Sequence, residues 1–237
     1  MSTPEAPVSQ QAPQTGERLL AILNDRKARK VLDIGCGHGA LSRSLAAKGF
    51  EMTGIDPDAA AVSAAREAVP HARFEQATAE ALPFADASFD AAIFLNALHH
   101  VPEAVMRQAL AEARRVIGPA GALIVVEPLA RGSFFEVMRP VEDETQIRAA
   151  ALRALEADIA SGTWQVARHD TYDRLSDFAA LEEFIAYLVA VDPARKAVAD
   201  ERRAELDALF RAKATVSEKG FRLIQPLTLY ELHPAAG

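Results

Sequence analysis

Three closely spaced glycines and a carboxylate are the residues best placed to do chemistry in this sequence. Gly35, Gly37 and Gly39 follow the apolar segment Lys30 to Ile34, which also carries Asp33. Apolar residues at helical spacing come next, so the stretch predicts a strand, a glycine turn and a helix, in which the backbone can approach a ligand closely. An unpaired charge in a buried strand is costly, so we expect Asp33 to face an opening and to meet a donor. The alternative is a core turn in which the glycines only allow tight packing.

The bulk composition limits the class of protein. The chain has 237 residues, of which 50% are hydrophobic, and a net charge of −7, which indicates one large domain. The acidic balance argues against nucleic acid or an anionic membrane as a partner. One cysteine excludes an internal disulfide and a thiolate metal cluster, and no apolar run reaches the ~18 residues of a spanning helix. We therefore expect a cytoplasmic protein, in which residues 1–16 are a disordered segment and not a signal peptide.

Apolar segments of strand and helix type alternate between residues 17 and 129. The strands are predicted at 30–34, 51–55, 72–77, 89–95 and 122–126, and the helices at 17–24, 38–48, 58–68 and 102–117. This rhythm predicts an α/β fold, with a doubly wound, mostly parallel sheet and helices on both faces. Ligands bind such sheets beyond the carboxyl ends of the strands, so the polar residues that follow the strands are expected to converge on one crevice.

The alternation of predicted strands and helices ends after Pro128. Residues 130–192 are predicted to form a helical insertion, followed by a helix from Asp192 to Phe210. The polar cluster 168–174 is interpreted as a solvated turn, with contact to the substrate as the alternative. The aromatic residues of the insertion either pack its helices together or form an apolar cap over a substrate pocket. Two extended runs around Gly220 predict an antiparallel C-terminal hairpin. The sheet then has seven strands, and the α/β domain comprises 17–129 and 193–233.

Five short motifs in this order resemble the class I S-adenosylmethionine-dependent methyltransferases, most closely the small-molecule group that includes the quinone-biosynthesis methyltransferases. The motifs are VLDIGCGHG (31–39), GID (54–56), AEALPF (79–84), SFD (88–90) and ALHHV (97–101). The resemblance implies S-adenosylmethionine as the cofactor and a small-molecule methyl acceptor as the partner. It implies neither nucleic acid nor membrane, and it leaves a homodimer open.

The resemblance also implies a role for each matching position. The carboxylate of Asp33 is expected to bind the ammonium group of the cofactor, and that of Asp56 to accept hydrogen bonds from both ribose hydroxyls. Thr78 occupies a position at which the family often has Asp. The implied cofactor-binding residues are Asp33, Gly35, Cys36, Gly37, Gly39, Asp56, Pro57, Thr78, Ala79, Glu80, Leu95 and Asn96.

Methyl transfer needs alignment of the reactants and, for some acceptors, a base that removes a proton. His100 is the first candidate for this base and Glu127 the second, and no metal ligand is expected. The signature of amino-nitrogen methylation is absent after the fourth strand, which favours an oxygen or carbon acceptor. Two alternatives stay open. The first is a nicotinamide-dependent oxidoreductase, because Gly35-x-Gly-x-x-Ala40 also fits the dinucleotide fingerprint. The second is a non-catalytic cofactor-binding protein.

Overall fold

A computed structural model describes residues 14–235, so residues 1–13 of the predicted disordered segment lie outside the described part of the chain. The helices are α1 Thr15–Asp25, α2 Ala40–Ala46, α3 Ala59–Ala68, α4 Met106–Ile117, α5 Ser133–Met138, α6 Thr145–Ala160, α7 Leu181–Val191, α8 Arg195–Glu201 and α9 Arg203–Lys213. The strands are β1 Lys30–Ile34, β2 Glu51–Asp56, β3 Arg73–Gln76, β4 Ala91–Leu95, β5 Ala122–Pro128, β6 Trp164–Phe178, β7 Thr215–Ser217 and β8 Gly220–Pro234.

These strands form a single sheet in the order β3-β2-β1-β4-β5-β8-β6, and the short strand β7 pairs with β8. Strands β1 to β5 are parallel to one another, whereas β8 is antiparallel to both β5 and β6. The predicted mostly parallel sheet with an antiparallel C-terminal hairpin is confirmed. The sheet has eight strands among the described residues, one more than the predicted seven, because β6 lies in the segment predicted to be a helical insertion.

The central strands are buried because helices cover both faces of the sheet. All seven residues of β5 are buried, which is typical of parallel strands that read as continuous apolar runs. One apolar cluster packs α4 and α6 against one face, and another packs α1 and α2 against the opposite face. The carboxyl ends of β1, β2 and β4 therefore meet at one edge of the sheet, where the polar residues of the site follow them.

Strand β6 corrects the prediction for the insertion. Helices α5, α6 and α7 form within residues 130–192 as expected, but the cluster 168–174, predicted as a solvated turn, lies in a 15-residue strand. Only three of its residues are buried, so its apolar pattern is weak, and it is held instead by pairing with β8 along nearly its whole length. The predicted helix from Asp192 to Phe210 is likewise two helices, α8 and α9.

Many of the aromatic residues beyond β5 pack against one another. Phe134, Phe178, Phe184 and Phe210 are buried in a third apolar cluster formed by α5, α7, α8, α9 and the start of β8. This packing confirms the structural interpretation of those residues, and their service as a substrate cap stays a prediction. None of the helices within residues 14–235 is both long enough and apolar enough to cross a bilayer.

Candidate functional site

The glycine turn after β1 is shaped by close backbone contacts. The amides of Gly35 and Cys36 both donate to the carbonyl of Ile55 at 2.9 Å, which ties the turn to β2. Gly35 has a positive φ of 77°, and a Cβ there would lie 2.7 Å from the Cβ of Ala97. At Gly37, by contrast, the position of a Cβ has no heavy atom within 4 Å. Gly35 is thus required by packing, whereas Gly37 borders open space in which a ligand could approach the backbone.

The contact at Gly35 leads to a stability prediction. Gly35→Ala should destabilise the protein by about 1–3 kcal/mol more than Gly49→Ala, because it adds a steric clash to the strain of a positive φ. Gly49 is a matched control, since it also has a positive φ (94°) but no atom within 4 Å of the added Cβ. Urea denaturation of the two variants measures the difference. Equal losses would contradict the assignment of a packing role to Gly35.

The carboxylate of Asp56 is held at the end of β2 by backbone donors. Its Oδ2 accepts a hydrogen bond from the amide of Gly37 at 2.9 Å, and its Oδ1 accepts one from the amide of Asp58 at 3.0 Å. Asp58 in turn caps α3, as predicted, by accepting from the amide of Ala60 at 2.9 Å. Asp56 is therefore fixed beside the open side of the glycine turn.

Asp33 lies close to Asp56 but is more deeply buried. Its side chain is 2% exposed, so the expectation that it faces an opening is wrong, and the donor it meets is the hydroxyl of Ser42, at 2.7 Å from Oδ2. Burial raises the pKa of Asp33 to about 6, and the nearby charge of Asp56 also raises it. Burial raises the pKa of the Cys36 thiol to about 12, with smaller contributions from both carboxylates, so this thiol stays protonated. The two carboxylates thus form one site with a strong preference for a cationic partner.

The raised pKa of Asp33 has a consequence for stability. Above pH 6 the folded protein carries a buried charge at Asp33, whereas water solvates this charge in the unfolded chain, so the charge lowers the free energy of unfolding. This loss of stability disappears as pH falls towards 3.8, where the carboxyl group of the unfolded chain also binds a proton. Asp33→Asn should therefore stabilise the ligand-free protein by about 1–3 kcal/mol at pH 7 and by little near pH 4. Urea denaturation of both proteins across this pH range measures the effect. A difference that does not vary with pH would contradict it.

The residues after β4 add a third polar group to this edge. Leu95 is the last residue of β4, and Asn96 follows it with a positive φ of 52°. The backbone N–H of Asn96 donates to the carbonyl of Val126 at 2.8 Å. The Oδ1 atom of Asn96 is buried and has no hydrogen-bond partner among residues 14–235. A buried acceptor without a partner costs about 1–3 kcal/mol, so a donor supplied by a ligand would stabilise this arrangement.

Three of the implied cofactor-binding residues, Thr78, Ala79 and Glu80, follow β3 at the same edge. The amide of Ala77 donates to the carbonyl of Asp56 at 3.2 Å, which places this loop beside β2. Thr78 is exposed, Ala79 is buried, and the backbone carbonyl of Glu80 accepts from Gln108 at 3.0 Å. The carbonyl of Pro57 likewise accepts from Gln76 at 3.0 Å. Their contacts with a cofactor stay predictions.

Glu127 holds the loop after β4. It is 1% exposed, and its Oε1 accepts hydrogen bonds from the amides of Ala97 at 3.1 Å and Leu98 at 2.9 Å. Its other oxygen pairs with Nδ1 of His99, which is also buried. Glu127 therefore differs from an accessible base, because both of its carboxylate oxygens already bind groups of the protein. Sequence reasoning missed the pair with His99, since 28 residues separate the partners.

His100 is exposed and lies next to His99, with ring centroids 4.1 Å apart. Partial desolvation of the ring lowers the pKa of His100, and the neighbouring His99 lowers this pKa further. Ligand atoms of His99, His100 and Glu144 come within 4.8 Å of one another, a spacing that a metal ion could use. Glu144, however, already binds the guanidinium groups of Arg148 and Arg195, which would repel a cation. The expected absence of a metal ligand stays a prediction.

Two surface cavities of residues 14–235 lie away from this site. One of about 500 Å³ is lined by residues that include Lys30, Glu51 and Arg73, which begin β1, β2 and β3. It therefore opens at the amino edge of the sheet, opposite Asp33 and Asp56. It is not part of the site described above.

Comparison with known proteins matches residues 31–121 to the sequence family described as "Methyltransferase domain". A malonyl-[acyl-carrier protein] O-methyltransferase of Pseudescherichia vulneris is 36% identical over 52% of this chain and 48% of its own length. A ubiquinone biosynthesis O-methyltransferase of Alkalilimnicola ehrlichii is 36% identical over 43% of this chain and 42% of its own. The chain therefore matches about half or less of the length of these curated relatives.

Solved structures share the fold over nearly the whole chain. The YcgJ protein of Bacillus subtilis matches with a TM-score of 0.63 and 21% identity, over 92% of this chain and 98% of the other. The [4+2]-cyclase SpnF matches with a TM-score of 0.60 and 19% identity, over 93% and 82%. At these identities the likeness shows the fold alone, and SpnF is named for a cyclisation, which is a reaction other than methyl transfer.

Proposed function

Because this chain belongs to the class I S-adenosylmethionine-dependent methyltransferases, we propose that it transfers the methyl group of S-adenosylmethionine to an oxygen or carbon atom of a small, partly apolar molecule. The observation that carries the proposal is the convergence of Asp33 and Asp56 on the glycine turn at the carboxyl edge of β1 and β2. The family match favours this function over a nicotinamide-dependent oxidoreductase.

The described residues fit the cofactor at several points. The carboxylate of Asp56 would accept hydrogen bonds from the two ribose hydroxyls, beside the open space at Gly37. The negative charge of Asp33 would attract the ammonium group, directly or through water, and the unpaired Oδ1 of Asn96 would accept from a donor at the methionine end. When bound, S-adenosylmethionine supplies an electrophilic methyl group on its sulfonium.

The acceptor side of the site would need a proton acceptor. The lowered pKa of His100 keeps its imidazole neutral at pH 7, the form that can take a proton from a hydroxyl or an acidic carbon. Glu127 would act by positioning, since it fixes the backbone of the loop and the ring of His99 on which His100 packs. The two curated relatives are both named as O-methyltransferases, which supports oxygen as the acceptor atom.

Binding and turnover experiments test this proposal in two stages. Calorimetric titration with S-adenosylhomocysteine and with NADH should give saturable binding of the first and none of the second. Incubation with methyl-labelled S-adenosylmethionine and a panel of phenols, carboxylic acids and enolisable ketones should then transfer label to at least one class. Binding of S-adenosylhomocysteine without transfer to any acceptor would favour the non-catalytic alternative. A homodimer, the exclusion of nucleic acid and a cytoplasmic location stay predictions.

A further inference from the structure

Arg174 is a cation without an acidic partner in the described part of the chain. Its Nε atom is buried and has no hydrogen-bond partner among residues 14–235, and no carboxylate within that range forms an ion pair with its guanidinium group. Arg168, on the same strand, instead pairs with both Asp25 and Glu231. A buried donor left unpaired costs about 1–3 kcal/mol, so the molecule carries this cost at Arg174 unless another group binds there.

The register of the sheet places Arg174 at the ligand-binding edge. On β6 it lies opposite Gln225 of β8, and Tyr172 lies opposite Leu227, which itself is opposite Pro128 at the end of β5. Arg174 therefore stands just beyond the carboxyl end of β5. Three strand spacings separate β6 from β4, after which Asn96 and His100 lie, and this is about 14 Å across the sheet. An acceptor that reaches both places must therefore be elongated.

The surroundings of Arg174 are mostly aromatic. Its guanidinium carbon lies 5.2 Å from the centroid of Phe134, whose ring also packs against Phe178, Phe184 and Tyr187. A second guanidinium, that of Arg148, is close enough to contribute repulsion, but Arg148 is already neutralised by Glu144. The guanidinium group of Arg174 thus lies against a buried aromatic cluster and carries a positive charge that no described carboxylate neutralises.

We propose that Arg174 binds the carboxylate of the methyl acceptor, which is then an organic acid with an apolar body. This inference rests on the proposed function. A guanidinium group donates two parallel hydrogen bonds to a carboxylate, and its plane is already fixed by the contact with the Phe134 ring. One unpaired guanidinium matches the single charge of a carboxylate better than the double charge of a phosphate monoester.

Titration with paired acids and amides tests this site. The probes are 4-phenylbutyrate and octanoate, each beside its primary amide, titrated into the protein saturated with S-adenosylhomocysteine. The wild-type protein should bind each acid about tenfold more tightly than the amide, a difference of about 1.4 kcal/mol. Arg174→Met keeps an unbranched chain over Phe134 and should abolish this preference, whereas Arg174→Lys keeps the charge and should retain part of it.

Arg168→Met serves as the matched control, because it removes a guanidinium from the same strand that already has acidic partners. This variant should bind the acids as the wild-type protein does. Equal affinity of the wild-type protein for acid and amide, or no saturable binding of either acid in the millimolar range, would overturn the inference. The binding of S-adenosylhomocysteine itself is a separate readout, so failure of the proposed function would show there and not in the comparison of acid with amide.

Discussion

Asp56→Ala should weaken the binding of S-adenosylhomocysteine by about a hundredfold or more while the protein stays folded. The variant loses two charge-assisted hydrogen bonds to the ribose, each worth about 1.5–3 kcal/mol. It also releases the amide of Gly37, which Asp56 fixes at 2.9 Å beside the open side of the glycine turn. Isothermal titration calorimetry measures the affinity, and far-UV circular dichroism with urea denaturation checks the fold.

Asp58→Ala is the matched control for this variant. Its carboxylate accepts from the amide of Ala60 and caps α3, two residues after Asp56, without taking part in the proposed site. Loss of this cap should cost about 1 kcal/mol of stability and leave the affinity for S-adenosylhomocysteine unchanged. Retention of wild-type affinity by Asp56→Ala would remove the ribose role from this residue. An equal loss of affinity in both variants would indicate a general disturbance of the β2–α3 turn.

Much of this site could be predicted because its signals are local. β1 and β2 are short apolar runs between turn residues, and the glycines and acids that follow them occupy fixed positions at the strand ends. Once the strands are placed in a parallel sheet, their carboxyl ends must meet, and the structure brings Asp33, Gly37 and Asp56 together there. Local pattern and sheet topology were sufficient for this half of the protein.

The remaining features depend on partners that lie far away in the sequence. β6 has only three buried residues, and its stability as a strand comes from pairing with β8, which begins more than forty residues later, so its own sequence carries little strand signal. The bond between Glu127 and His99 and the unpaired state of Arg174 are likewise visible only once distant elements are packed. The predicted accessibility of Asp33 failed for a different reason, because its donor is near in the sequence: the hydroxyl of Ser42, nine residues later on α2, binds the buried carboxylate.

His100→Ala should lower turnover by about a hundredfold or more, the usual contribution of a general base, and leave the affinity for S-adenosylhomocysteine within about twofold of the wild-type value. The reason is that the ring of His100 packs beside His99, whereas the groups proposed to hold the cofactor, apart from Asn96, lie at the glycine turn and the end of β2. The measurement is the single-turnover rate with an acceptor from the panel. His71→Ala, at an exposed histidine on the opposite edge of the sheet, is the control and should change neither quantity.

The pH profile separates a proton-accepting role of His100 from a structural one. The local surroundings lower the pKa of His100 below 6.5, so in the wild-type protein the single-turnover rate should rise with pH through a value below 6.5 and then level off, as the imidazole loses its proton. The remaining rate of His100→Ala should lack this step. A slow variant that keeps the wild-type step would mean that another group titrates and that His100 only supports the loop held by Glu127. An unchanged rate would remove His100 from the mechanism, because a base that takes the acceptor's proton must change the rate when it is deleted.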